Sequence, residues 1–305
     1  MRISALILNY NDHINSVELA DTLSSYNCID KILIVDNCST DNSLDALRNY
    51  AIASPKISLI ESSNNGGYAA GNNLGLRELI ADGSCDHVLI ANPDTRIDEY
   101  VIRELSDILV NHDDCAICGC QQVNPISSTA FRSYWDLPTF AYDLRALFFL
   151  GRRLNHKMHS DHTYDYDGTS CCVGAVSGAL FLADLGKLNQ IGLFDEGTFL
   201  YCEETILGKR CAMHNLKVRF SPLLTYYHYH ATSTSKTLGI ARSMDVLHRS
   251  MLYYHQHYES LSPIKSLLFR ACMPVSRFEF QLMALASTWL KRFPLESHLG
   301  RVNFG

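Results

Sequence analysis

The sequence predicts an α/β protein, a mainly parallel sheet flanked by helices, with a helical extension at its C-terminal end. Three observations predict it. Short β-branched or aliphatic runs alternate with longer amphipathic stretches, the pattern of layered α/β folds. The first run, Ile3 to Leu8, is continuously apolar, as suits a strand buried on both faces. An Asn or Asp then stands at or just beyond the end of each of the first four strands: Asn9, Asp36, Asn65 and Asp94. With 305 residues, 47% hydrophobic and 19% charged, the chain can bury one large or two modest cores and is neither disordered nor fibrous.

The elements follow in order. After Ile3 to Leu8, Asn9-Tyr10-Asn11 ends the strand and a helix runs from about Ser16 to Tyr26. Ile32 to Val35 is the second strand, and Ser39 or Asp41 caps a helix reaching about Ala53. Ile57 to Ile60 is the third strand; Asn64-Asn65-Gly66-Gly67 turns into a helix carrying Gly71 to Ile80, and His87 to Ala91 is the fourth strand. A helix from Glu99 to Val110 leads to a strand at Ala116 to Val123. Phe140 to Leu150 reads as a helix, and the polar Gly151 to Thr169 as a mobile loop. Val173 to Leu182 reads as one strand, Glu203 to His214 as a helix and Lys217 to Phe220 as a strand. Ala241 to Tyr258 and Pro263 to Arg292 are helical.

The carboxyl edge of an open α/β sheet is where such folds bind ligands, and a nucleotide is the natural guest there. Any one Asn or Asp could be mere turn chemistry; together with later segments they form a specific pattern. Leu8-Asn9-Tyr10-Asn11, Val35-Asp36-Asn37, Asn65-Gly66-Gly67-Tyr68-Ala69-Ala70-Gly71-Asn72 and Asn92-Pro93-Asp94 are followed by Val176-Ser177-Gly178-Ala179, Gly192-Leu193-Phe194-Asp195-Glu196, Glu203-Glu204, and His228 with Ser233. This succession, over about residues 3–235, resembles the inverting, nucleotide-sugar-dependent glycosyltransferases of family 2, with the GT-A fold, and within them the rhamnosyltransferase-like enzymes of bacterial surface polysaccharides.

The resemblance implies roles. Asn9, Tyr10, Asn11, Asp36, Asn65, Gly67, Gly71, Asn72 and Asn92 would belong to the nucleotide-sugar site, with Asp36 accepting a hydrogen bond from a base imide or a ribose hydroxyl. Asp94, in the place of the family's Asp-x-Asp element, and His228, with His230 as its rival, would hold Mg²⁺ or Mn²⁺; imidazole favours Mn²⁺. Glu204 would be the catalytic base, with Glu203 as the alternative. Here the chain departs from the family, which usually carries Glu-Asp at this point and a further Asp where this chain has Ile206. The extra methylene of Glu204 lengthens its reach by roughly 1.5 Å. Rhamnose from dTDP-rhamnose is the implied donor, and a saccharide or lipid-linked saccharide the acceptor. A UDP-hexose or galactofuranose transferase, or a non-catalytic nucleotide-sugar-binding protein, is the alternative. A Rossmann oxidoreductase is disfavoured, since no Gly-x-Gly-x-x-Gly follows the first strand.

Charge separates two regions. Residues 1–235 hold 17 basic and 28 acidic side chains, a balance of −11, and residues 236–305 hold 9 and 4, a balance of +5. The acidic part, with a nucleotide-sugar half over about 1–123 and an acceptor half over about 124–235, argues against nucleic acid as a partner. The basic, amphipathic extension suits peripheral contact with the cytoplasmic face of a membrane, or else a helical cap or homodimer interface. Eleven irregularly spaced cysteines and no recognisable leader suggest a cytoplasmic protein with reduced thiols. Cys115, Cys118 and Cys120 read as a buried strand rather than a zinc site, Cys171 and Cys172 as core, and His156, His159, Asp161 and His162 as loop rather than a chelate.

Overall fold

The computed structural model describes residues 1–52, 54–83, 85–159, 164–229 and 240–292, without the side chains of 156–159, 240–241 and 284–292. Strands β1 (Ile3–Asn9), β2 (Ile29–Asp36), β3 (Ile57–Glu61) and β4 (His87–Ala91) alternate with helices α1 (His13–Ser24), α2 (Ser43–Ile52) and α3 (Gly67–Asp82). Then come β5 (Thr95–Arg96), α4 (Glu99–Asn111), β6 (Cys115–Val123), β7 (Tyr134–Trp135), α5 (Phe140–Ala146), α6 (Phe149–His159), β8 (Cys171–Val173) and β9 (Ala175–Val176). The remainder is β10 (Leu180–Asp184), α7 (Leu185–Gln190), α8 (Glu203–Met213), β11 (Lys217–His228), α9 (Ile240–Tyr258) and α10 (Pro263–Arg292).

Among the described residues the main sheet runs β3-β2-β1-β4-β10-β6-β11-β5, with β8 also paired to β11. The first four strands are parallel, and β10 enters antiparallel between β4 and β6. Register decides where the site falls. Asn9 lies beside Asp36, Ile7 beside Ala91, and Leu180 at the start of β10 also beside Ala91, so the ends of β1, β2 and β4 and the beginning of β10 emerge on one edge.

Both faces of the sheet are covered, which explains the unbroken apolar runs. Leu19 and Leu23 of α1, Leu47 of α2 and Ile102 and Leu105 of α4 pack on one face with Leu89. Leu76 and Leu79 of α3, Leu188 of α7 and Leu207 of α8 pack on the other with Val88 and Ile90. The successive residues of β4 thus serve opposite cores, as strand periodicity requires.

Three expectations change. Val173 to Leu182 is not one strand: it divides into β8, β9 and β10 at Gly174 and at the Ser177-Gly178 turn. Gly151 to His159, expected as loop, is the body of α6; Arg152 lies over the Phe280 ring and the Phe149 N–H donates to Glu279, contacts with α10 that local polarity does not reveal. Residues 160–163, including Asp161 and His162, lie outside the description, as do the side chains of His156 and His159. Cys115, Cys118, Cys120 and Cys171 are buried, whereas Cys172 is exposed because it points to the other side of β8.

The two C-terminal helices have nearly the expected bounds, and they are docked. Leu147, Leu252 and Phe269 form a small third core. His255 Nε2 and Asp143 Oδ2 meet at 2.9 Å in its buried surroundings, and Ser276 donates to the Leu147 carbonyl. No helix of the described residues is long and apolar enough to cross a membrane.

Candidate active site

A cavity of about 1140 Å³ opens at the strand-end edge. One wall comes from the loops after β1 to β4, with Tyr10, Asn37, Asn65, Gly67, Tyr68 and Pro93. The facing wall comes from α9 and α10. Gly67 is required where it stands: its φ is +87°, and a Cβ there would come within 2.1 Å of the Phe199 carbonyl oxygen. The close approach that the glycine permits is therefore to the loop carrying Phe199, which also accepts the Tyr68 N–H.

Behind this wall a polar network joins β1 to β2. Asn9 Nδ2 donates to Asp36 Oδ1 at 2.7 Å, Ser39 donates to the same oxygen through its hydroxyl, and the Ser39 N–H donates to Asp36 Oδ2. Asp36 is buried, so its carboxylate staples the two strand ends and is not on the cavity wall. Asn11 holds the neighbouring loop by accepting the Thr40 N–H at 2.7 Å. Gly71 lies against Leu8, and Asn72 donates to the Tyr68 carbonyl; both are buried behind the wall, while Tyr10, Asn65, Gly67 and Asn92 line it.

The structure brings Asp94 and His228 together across 134 residues of sequence. His228 Nε2 and Asp94 Oδ1 are 3.0 Å apart, and both residues are nearly buried. The pairing of β5 with β11 sets His228 beside Thr95, and the Tyr229 N–H donates to the Asp94 carbonyl. Leu224, Tyr226 and His228 alternate inward along β11. One oxygen and one nitrogen donor thus converge, and among the described residues no cluster of three or more His, Cys, Asp or Glu forms around them. Such a pair fits a divalent ion that completes its coordination with phosphate oxygens and water. His230 and Ser233 lie outside the described residues.

Glu203 and Glu204 open α8, where negative charge near a helix N-terminus is favoured by about 0.3–1 kcal/mol. Burial opposes this and wins. Glu203 is held above the ordinary carboxylate range by burial and then by the charge of Glu204, and Glu204 is raised by burial as well. Glu204 Oε1 accepts the Gly178 N–H at 3.0 Å, and Glu203 Oε1 has no hydrogen-bond partner. Tyr201 and Cys202, immediately before the pair, have φ of +72° and +69°. Two successive non-glycine residues in this region store strain of about 1–3 kcal/mol each, a recurrent feature of functional sites. Ile206, where the sequence departs from the pattern it otherwise resembles, is fully buried.

These groups stand just behind the cavity wall. Tyr68, on the wall, donates to the Gly178 carbonyl at 2.6 Å, while the Gly178 N–H holds Glu204. Tyr226 and Ser177 both donate to Gln122 Oε1, and Tyr226 senses the charges of both Glu204 and Asp94. Gln122 and Tyr226 escaped the sequence reading because no local pattern marks them, and Tyr68, although inside the Asn65-to-Asn72 segment, was given no role of its own. Asp12 was also missed: it lines the cavity, and its carboxyl is raised by burial, with the charge of Asp94 acting in the same direction.

Fold and site together define a layered α/β class with a carboxylate-bearing strand edge. Residues 4–174 match glycosyl transferase family 2, more than half of the chain, and the protein belongs to that family. It is 27% identical over 226 residues to the low-salt glycan biosynthesis hexosyltransferase Agl10 of Haloferax volcanii, covering 71% of this chain and 63% of the relative, so it spans less than two thirds of that relative's length. Its fold resembles that of the mannosyltransferase PcManGT from Pyrobaculum calidifontis, solved with GDP-Man and Mn²⁺, with TM-score 0.57, 14% identity and coverage of 98% of this chain and 76% of that one. It also resembles S. aureus TarS 1-349, solved with UDP, with TM-score 0.53, 15% identity and coverage of 87% and 68%. The architecture is accordingly GT-A, with added C-terminal helices.

Proposed function

We propose that the protein is an inverting hexosyltransferase that uses a nucleoside-diphosphate sugar and a saccharide or lipid-linked saccharide acceptor in surface-glycan assembly. The observation that carries this is that Asp94 and His228, from the loop after β4 and from β11, and the Glu203-Glu204 pair at the start of α8 stand behind one cavity wall, close enough for Tyr226 to feel the charges of both Glu204 and Asp94. In this reading Tyr10, Asn65, Gly67 and Asn92 seat the nucleotide sugar, and Asn9, Asn11, Asp36, Gly71 and Asn72 hold the backbone that shapes the seat. Asp94 and His228 would hold Mn²⁺ or Mg²⁺, and the ion would offset charge on the departing diphosphate. The mannosyltransferase solved with GDP-Man and Mn²⁺ supports that reading.

Glu204 takes the acceptor hydroxyl proton as that oxygen attacks the anomeric carbon, and the nucleoside diphosphate leaves from the opposite face. The Gly178 N–H fixes one carboxylate oxygen, which orients the other. Rhamnose from dTDP-rhamnose remains our preferred donor on the sequence resemblance, with UDP-hexose and galactofuranose donors as alternatives. The C-terminal helices would bring the enzyme to the cytoplasmic membrane surface. A thermal-shift panel of nucleoside-diphosphate sugars with and without Mn²⁺ tests the proposal. The true donor should stabilise the protein by mass action, more strongly with Mn²⁺. Absence of stabilisation by any donor would overturn it.

A further inference from the structure

The wall of the cavity opposite the strand edge has a chemistry of its own. On α9, Arg242, Val246, Arg249, Tyr253 and Gln256 all face the cavity; their spacing of four, three, four and three places them on a single helical face. Arg270 and Met273 of α10 continue this wall. Arg242, Arg249 and Arg270 are exposed and have no ion-pair partner among the described residues, whereas Arg277 of the same helix is paired with Asp245. Three guanidinium groups without an ion-pair partner among the described residues thus border a cavity whose other wall carries Asp12 and, behind it, Asp94.

A second observation extends the first. Ile264, Leu267, Leu268, Val275, Phe278 and Leu282 are exposed and recur along one stripe of α10. At 100° per residue the Leu267 and Phe278 edge of this stripe lies about 60–80° from Arg270, whereas Met273 points to the side of the helix opposite the stripe. An apolar track therefore runs beside a cationic pocket wall. Cations alone would suit any anion, and an apolar stripe alone would suit many surfaces. Their adjacency fits a molecule with an anionic head and a long apolar tail.

Building on the transferase reading above, we propose that Arg249 and Arg270, with Arg242, bind the phosphate of a lipid-phosphate-linked acceptor while its hydrocarbon lies along the α10 stripe. Guanidinium groups suit phosphate through their fork of donors. The carboxylates of the other wall leave the donor diphosphate to the Asp94 side, so the two phosphate-bearing substrates meet opposite walls.

The test measures binding by the full chain of farnesyl phosphate, a short lipid phosphate, alongside farnesol, inorganic phosphate and the nucleoside diphosphates UDP, GDP and dTDP. Wild-type protein should bind farnesyl phosphate more tightly than farnesol or inorganic phosphate. The Arg249→Ala/Arg270→Ala double variant should lose at least about tenfold in farnesyl phosphate affinity, with nucleotide affinity and melting temperature unchanged; two charge-assisted contacts are ample for this. The Arg249→Lys/Arg270→Lys variant should recover part of the loss. Unchanged farnesyl phosphate affinity in the alanine variant would overturn the proposal, as would an equal loss of nucleotide affinity, which would assign the arginines to the donor. Farnesol binding as tightly as farnesyl phosphate, or inorganic phosphate doing so, would also overturn it. If no nucleotide binds to the wild type, the transferase reading fails, and that failure is read separately from the lipid arms.

Discussion

The two walls of the cavity were assembled by different means. The strand-edge wall is built on short turns following buried strands; on it Asn37 is tied to Asn65 and Gly67, and behind it Asn9 is tied to Asp36 and Asn11 to Thr40. The helical wall is one face of α9 with part of α10, and its arginines are exposed. The first is preorganised and acidic, and the second is open and basic. Fixed geometry is what a reacting centre needs, since misplaced groups forfeit rate, whereas a long acceptor can be held by a more adaptable surface.

Breaking the rigid wall at its chemistry should have the largest effect. Glu204→Gln keeps the Gly178 contact available but cannot take a proton, and transfer should fall by about 10²–10⁴-fold with donor affinity retained, as single-turnover kinetics would show. If Glu203→Gln gives the larger loss, the base assignment moves to Glu203. Next in size, Asp94→Asn should abolish any Mn²⁺-dependent rise in melting temperature, and chelation should stop transfer in the wild type until Mn²⁺ is restored. Gly67→Ala challenges the geometry of the same wall: a left-handed φ and a clash with the Phe199 carbonyl should lower the unfolding free energy by at least about 1–3 kcal/mol in urea titration.

The smallest effect concerns pH. A carboxyl whose folded pKa is raised adds stability below its unfolded pKa, near 4.3, relative to higher pH, and that contribution is lost as pH rises through the folded value. Glu203→Gln should therefore melt higher than wild type at pH 8 and equally at pH 4. Glu204 is raised by burial and not by the charge of Glu203, so the same substitution should leave the acid limb of the transfer profile, set by Glu204, in place. A limb that moves to lower pH would show that the charge of Glu203 acts on Glu204 as well.

Much of the rigid wall was legible because its signals are local. A continuous apolar run ending in Asn or Asp marks a buried strand and its carboxyl edge, and β1 to β4 were placed to within a few residues this way. The bounds of α9 and α10 also follow from periodicity and from Pro263. What local patterns do not carry is non-local. The pairing of β5 with β11 that brings His228 to Asp94 needs register across 134 residues and entered only through the family resemblance, and nothing in sequence says that Asn9 and Ser39 hydrogen-bond to Asp36. The polar stretch from Gly151 was mistaken for loop because its helix is held by Glu279 and Phe280, far along the chain. For the same reason charge arithmetic separated the basic extension from the acidic body but could not show that its arginines close the cavity of that body.

The most direct measurement is the anomeric configuration of the sugar in the product, read by proton NMR after transfer from the donor that the thermal-shift panel selects. A single displacement assisted by Glu204 predicts inversion relative to the donor. Retention of configuration would contradict it, since no one-step attack from the face opposite the leaving diphosphate can produce that outcome.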